Sequence, residues 1–178
     1  MALPVEKAYT LEDIYALPDG SRAELIDGQL YMIPPHGTEY QRISCQLSAD
    51  ITFYLREHKK DSEVFSAPFA VFLDADEKTY VEPDLTVICD RDKLYERGCN
   101  GAPDWIIEIV SHGSKRMDYF VKLFKYRTAG VKEYWIVDPE KNRTMVYDFQ
   151  NDDVSTFDFT ESVPVLLSGS ELKLQISR

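Results

Sequence analysis

The chain is poor in cysteine, in histidine and in positive charge, and it has no long apolar run. Its three cysteines, Cys45, Cys89 and Cys99, are odd in number and show no CxxC spacing. That argues against a disulfide framework or a zinc site and fits a reducing cytoplasm. Of its three histidines, His36, His58 and His112, none stands at metal-ligand spacing from another. His58 reads as a helix-end residue. His112 follows an apolar strand in a loop, a position from which a side chain can reach a site. No stretch of about eighteen apolar residues occurs, so no transmembrane helix is expected. The opening MALPVEKAYTLEDIYALPDG lacks the basic and long apolar regions of a signal peptide. Lys and Arg total 20 against 31 Asp and Glu, a formal net charge of −11. This disfavours a protein that coats nucleic acid non-specifically, because phosphate binding is driven by cationic side chains. Solubility alone explains such a balance, but metal-binding carboxylates and a local basic strip are compatible with it.

The 178 residues, 44% of them hydrophobic, suit a single domain over 1–178 with a sizeable core. No repeat or low-complexity segment interrupts it. TLED at 10–13 has capping-box spacing and predicts a short helix ending before PDG. Asp27-Gly28 between two apolar stretches predicts a β-hairpin. TEYQ at 38–41 repeats the capping-box spacing, and Ile43, Leu47, Ile51, Tyr54 and Leu55 follow at helical period, so a helix is expected to about Lys59. VFSAPFAVFLDA and TYVEPDLTVICD read as strands, and RDKLYERGCNGAP as a loop or irregular short helix. In SKRMDYFVKLFKYRTAG, Ser114 can cap a helix and Gly130 can end it, with Met117, Phe120, Val121 and Phe124 as the core stripe. KEYWIVD, RTMVYDF and short terminal strands complete the pattern. Trp105, Trp135, Tyr134 and Tyr147 are expected to pack on sheet faces. The order predicts a mixed α/β (α+β) fold with one central sheet flanked by helices, preceded by an N-terminal helix and hairpin.

The segment GAPDWIIEIVS, 101–111, poses a chemical problem. Its β-branched and aromatic run, bounded by Gly101, Pro103 and Gly113, reads as a buried strand, and Glu108 lies inside it. An unpaired buried carboxylate costs several kcal/mol or shifts its pKa. A cation, a hydrogen-bond network or a metal must meet it. Asp84 stands at the entrance of the strand LTVIC, and Asp118, Lys122 and Tyr126 recur at i, i+4 and i+8 on the following helix. Two carboxylates on neighbouring strands plus a lysine can hold Mg²⁺ or Mn²⁺ and position a water. Each piece alone has a simpler reading: a Pro-Asp turn, a glutamate bonded to nearby amides or an arginine, a lysine with a solvated head.

Together, AELIDGQLYMIPP, EPDLTVI, GAPDWIIEIVS and DYFVKLFKYRTAGVKEYWIVDP resemble the Uma-two family of restriction-endonuclease-like proteins, within the PD-(D/E)XK nuclease superfamily. The resemblance covers most of the chain and is only in outline after about Arg143. It implies a restriction-endonuclease-like core and a metal-dependent endonuclease acting on DNA. It further implies Asp84 and Glu108 as metal ligands, Glu24 as the acid completing the shell, and Lys122 as the catalytic lysine. Where the parent motif has its lysine, two residues after the acid, this chain has Val110; Lys122 is the migrated equivalent. Asp118 and Tyr126 would support it. Tyr40 stands where the family often has histidine, and Ser111-His112-Gly113-Ser114 where it often has Ser-Pro-Ser-Thr. By analogy with superfamily members that cut both strands, a homodimer is expected. Two other readings stay open: a nuclease-like regulatory or assembly module that only binds, and a sugar or nucleotide hydrolase using Asp84 and Glu108 as a general acid/base pair, which leaves Lys122 idle. On geometry, Asp84, Glu108 and Lys122 are expected in one cavity with Glu24 at its rim.

Overall fold

A computed structural model describes residues 8–73 and 78–177. The first helix, α1 (Leu11–Tyr15), starts as the capping-box spacing predicts: the Thr10 N–H donates to Asp13 Oδ2 at 2.9 Å. Strands β1 (Ala23–Ile26) and β2 (Gln29–Met32) form the expected two-residue hairpin. Asp27 and Gly28 sit at φ 51° and 74°, left-handed values that a tight hairpin turn requires and that Asp-Gly tolerates. Helix α2 (Thr38–Glu57) runs as long as its apolar period predicts, burying Ile43, Leu47, Ile51 and Tyr54. Its cap is Gly37 without a side-chain bond, so Thr38 is already helical.

The next two expected strands are each cut by a proline. VFSAPFAVF gives β3 (Glu63–Ser66) and β4 (Val71–Phe72), and TYVEPDLTVIC gives β5 (Tyr80–Val81) and β6 (Leu85–Ile88). Pro68 and Pro83 have no N–H to offer a ladder. The end of the first expected strand, Asp74 and Ala75, lies outside the described residues. A 3₁₀ turn (Arg91–Lys93) leads to β7 (Leu94–Tyr95) and β8 (Gly98–Asn100), a small hairpin where the sequence suggested a loop. Then come β9 (Trp105–Ile109), a π-helical segment (Met117–Lys122), α3 (Leu123–Ala129) and β10 (Glu133–Asp138). The chain continues through β11 (Arg143–Asp148), β12 (Asp153–Asp158), β13 (Val163–Pro164) and β14 (Lys173–Leu174).

The mixed α+β class follows the sequence, but the strands divide between two six-stranded sheets where one central sheet was expected. One has the order β2-β1-β5-β4-β8-β7, the other β12-β11-β10-β9-β6-β3. The proline breaks are the physical reason: β5, before Pro83, pairs with β1 of the N-terminal hairpin, and β4, after Pro68, pairs with β5 and β8, so neither extends the second sheet. The second sheet is buried on both faces at its centre. Ile107, Trp105, Trp135, Val137, Leu85 and Val87 pack towards α2, while Ile106, Ile136, Tyr134 and Ile88 pack with Tyr126 and residues of the first sheet. Burial on both sides is why WIIEIV reads as an unbroken apolar run rather than an alternating one.

A second sequence expectation also fails. Phe120 and Phe124 are 71% and 66% exposed, and Met117 and Val121 are only partly buried. The fully buried stripe is Asp118, Lys122 and Tyr126. Polar groups face inward here because the opposing sheet carries carboxylates that need a cation and a hydroxyl.

Candidate acidic site between the two sheets

The site follows from the β6–β9 register. The two strands are antiparallel, with Val87, Thr86 and Leu85 opposite Trp105, Ile106 and Ile107. One step further, Asp84 faces Glu108. Opposed residues of an antiparallel pair project from the same face, so both carboxylates point towards the first sheet. Past the last paired residue, the Ile109 N–H is free of the ladder and donates to Asp84 Oδ2 at 2.6 Å. The Tyr40 hydroxyl, from α2, donates to Asp84 Oδ1. From the first sheet, Glu24 on β1 accepts the Glu82 N–H at 3.0 Å through Oε1.

Lys122 joins these elements. Its Nζ lies 2.8 Å from Glu24 Oε1, 2.9 Å from Glu108 Oε1 and 3.8 Å from Asp118 Oδ1. The Tyr126 hydroxyl donates to the same Glu108 Oε1 at 2.6 Å. Asp118 Oδ2 accepts from the Ser114 hydroxyl at 2.5 Å, and the Tyr134 hydroxyl donates to the Asp118 carbonyl at 3.0 Å. Asp118 and Lys122 lie in the π-helical segment, a wider turn that often marks a functional site. Glu24, Asp84, Glu108, Asp118 and Lys122 are 5%, 6%, 3%, 2% and 6% exposed. Glu24 is therefore inside the cluster rather than at its rim. The question posed by Glu108 is answered by a cation and a hydroxyl at once.

Four carboxylates face one ammonium. Burial is the main cause that lifts Asp84 to about 7 and Glu108 well above the ordinary glutamate value, with neighbouring carboxylates adding to it; burial lifts Asp118 likewise. Burial by itself would lower Lys122, but Glu108, Glu24 and Asp118 overcome it and hold the ammonium well above its usual value. Other buried acids are met differently. Asp104 accepts the Cys89 N–H at 2.7 Å and pairs with Lys132 at 2.6 Å, and Glu133 accepts the N–H groups of Leu166 and Leu167. Those are structural ties, whereas the Asp84–Glu108 cluster opens onto a cavity of about 450 Å³. Leu30, Met32, Ile33 and Met117 form its apolar wall, and Glu24, Asp84, Glu108 and Asp118 its acidic floor, with Lys122 among them.

The excess of hard oxygen donors over cations fits a divalent metal such as Mg²⁺ or Mn²⁺. Among the described residues, no three His, Cys, Asp or Glu side chains are already arranged as a metal shell. Asp84 and Glu108 are the pair best placed to hold one, with Glu24 across the cavity.

All six residues singled out in the sequence meet here. Tyr40 and His36 do so without having been singled out as site residues. Tyr40 bonds Asp84, and the His36 ring stacks on Tyr40 at 3.7 Å between centroids. The available signal for Tyr40 was its place just before Gln41, where the family often has histidine. His112 does not reach the cavity. Its side chain is 95% exposed and lies 3.6 Å from Glu140. His58 ends α2, as expected.

The fold is shared with a solved structure described as "a putative nuclease belonging to DUF820" from Anabaena variabilis ATCC 29413. The TM-score is 0.76 at 24% identity, covering 93% of this chain and 94% of that one. No curated protein matches the sequence. The family model Uma2, described as "Putative restriction endonuclease", matches residues 10–177, and the chain belongs to that family. Membership supports a nuclease, a hydrolase acting on nucleic acid. Among the described residues no helix is long and apolar enough to cross a membrane.

Proposed function

We propose that residues 1–178 form one PD-(D/E)XK nuclease-like domain that hydrolyses phosphodiester bonds in DNA with Mg²⁺ or Mn²⁺, acting in the cytoplasm as a homodimer. The observation that carries the reading is the opposition of Asp84 and Glu108 on one sheet face, with Lys122 Nζ 2.9 Å from Glu108. Asp84 and Glu108, completed by Glu24, would hold the metal. A bound divalent cation lowers the pKa of its water and offsets charge on the scissile phosphate. Lys122 presents N–H donors that orient the attacking water and stabilise charge developing on a phosphate oxygen. Asp118 and Tyr126 fix Lys122 and Glu108 in place, and Tyr40 with the Ile109 N–H fixes Asp84. The apolar wall excludes bulk water and strengthens each of these contacts. The homodimer rests on analogy with enzymes that cut both strands; a monomer by light scattering at micromolar concentration would remove it.

The test is cleavage of plasmid and single-stranded circular DNA with Mg²⁺ or Mn²⁺. The wild-type protein is expected to cut at least one. Glu108→Gln and Lys122→Ala, each checked for folding by circular dichroism, are expected to lose cutting. The alternative, a nuclease-like module that only binds, is favoured by one observation: Lys122 already occupies oxygens of Glu24 and Glu108. A folded wild-type protein that cuts no DNA with either metal decides for it.

A further inference from the structure

A second groove, of about 660 Å³, runs along α2 and adjoins the acidic cavity, with Arg22 and His36 lining both. Tyr40 lines the groove as well and forms the partition, since its hydroxyl bonds Asp84. The groove's floor is a straight stripe of α2. Gln41, Cys45, Ser48, Thr52 and Arg56 follow one another at steps of four, three, four and four residues, which keeps them on one side of an α-helix. At 1.5 Å per residue the stripe is about 22 Å long.

Its chemistry departs from that of the rest of the chain. The protein carries a net charge of −11, yet no carboxylate is among the groove's lining residues. The wall holds hydroxyls, an amide and two arginines. Arg22 is held by Glu82 at 2.7 Å. Arg56 is exposed and is paired with no acid among the described residues. Beyond it, Arg56 continues into a smaller depression with Lys59 and Lys60. The one acid there, Glu63, is paired with Arg91 at 2.8 Å. Phe53, 67% exposed, stands on the groove wall. The Thr52 hydroxyl donates to the Ser48 carbonyl at 2.7 Å, so the donors along the stripe are the Ser48 hydroxyl and Arg56. With an exposed aromatic ring beside them, they give what a single nucleic-acid strand needs: a track for phosphates and a face on which a base can stack. A duplex fits less well. Its two phosphate strands need many cations on a broad surface, whereas this stripe is one helix wide.

We propose that the α2 groove binds one single strand of DNA, with phosphates along Ser48 and Arg56 and a base on Phe53, and leads it past Tyr40 into the acidic cavity. This rests on the nuclease reading for the cavity but not on cleavage taking place.

The experiment is fluorescence anisotropy of the full chain with a short labelled single-stranded oligodeoxynucleotide, without divalent metal, over a range of salt concentrations. Cleavage of circular single-stranded DNA is followed in parallel with Mn²⁺. Phe53→Ala and Arg56→Gln change exposed residues and leave the core intact. Phe53→Ala is expected to weaken binding about five-fold or more, the effect of losing one stacked base. Arg56→Gln should weaken it and reduce the salt slope by about 0.7, one phosphate contact on a single strand. Wild-type binding that neither variant alters overturns the groove while leaving the nuclease reading in place. Wild-type binding lost in both variants, without cleavage under any condition, keeps the groove and overturns the nuclease. Absence of wild-type binding, or tighter binding to the matching duplex, overturns the single-strand track.

Discussion

Lys122 Nζ lies 2.9 Å from Glu108 Oε1, although 14 residues and a change from strand to helix separate them. Both are almost wholly buried, so the pair is a tie between the second sheet and the helical segment as well as a piece of chemistry. Removing one partner of a buried ion pair leaves the other charge uncompensated, which costs about 3–5 kcal/mol. Lys122→Met is expected to lose about that much in urea denaturation at neutral pH. A loss below about 1 kcal/mol would mean that the surrounding carboxyls already carry the protons that make Lys122 dispensable.

The Tyr126 hydroxyl is the second group on Glu108 Oε1, at 2.6 Å. Tyr126→Phe keeps the ring, which packs edge-on to Tyr134 at 5.0 Å, and removes only the donor. A hydrogen bond to a charged acceptor contributes about 1.5–3 kcal/mol. A loss in this range is expected, and it should largely vanish in a Glu108→Gln background, where the acceptor is neutral. Equal losses in both backgrounds would show that the hydroxyl does not act through the Glu108 charge.

Asp104 gives a pH dependence away from the site. Burial alone would raise its carboxyl, but Lys132 and the Cys89 N–H outweigh burial and hold it below the ordinary value of 3.8. The stability it contributes is therefore present above about 3.8 and is lost as pH falls through the lower folded-state value. Lys132 is 44% exposed, so solvent screens the ion pair and the hydrogen bond to Cys89 carries most of the effect. Asp104→Asn is expected to cost about 1–2 kcal/mol at pH 7, and the gap to wild type should close on acidification below that value. A gap that stays constant down to acid unfolding would assign the loss to packing instead.

Local signals in the sequence were enough to place the hairpin at Asp27-Gly28, the extent of α2 and the buried strand around Glu108. A turn needs its own residues and a helix its own period, and both are written in consecutive positions. The resemblance of four short segments to the family supplied Glu24 and the catalytic role expected of Lys122, which the i, i+4, i+8 spacing had already placed beside Asp118 and Tyr126. The division into two sheets was not legible, because Pro68 and Pro83 say where strands stop but not which strands they join. The inward face of the 117–126 segment was misread. Periodicity ranks phenylalanine above lysine for burial, and only the opposing carboxylates reverse that order. Phe120→Ser and Phe124→Ser test the reversal: each should change stability by less than about 0.5 kcal/mol, as exposed positions do. A loss of about 2 kcal/mol or more would restore them to a packed surface.

The most direct measurement of the central claim is thermal unfolding with and without Mn²⁺ for the wild type, Asp84→Asn and Glu108→Gln. Four buried carboxylates against one ammonium leave a negative excess that a divalent cation relieves, and a cation bound only by the folded state stabilises it by about 2.7 kcal/mol at 100 times its Kd. The wild type is expected to show a saturable rise in Tm with Mn²⁺, and both variants to lose most of it. An equal rise in all three proteins, or none in the wild type, would contradict a metal held by Asp84 and Glu108.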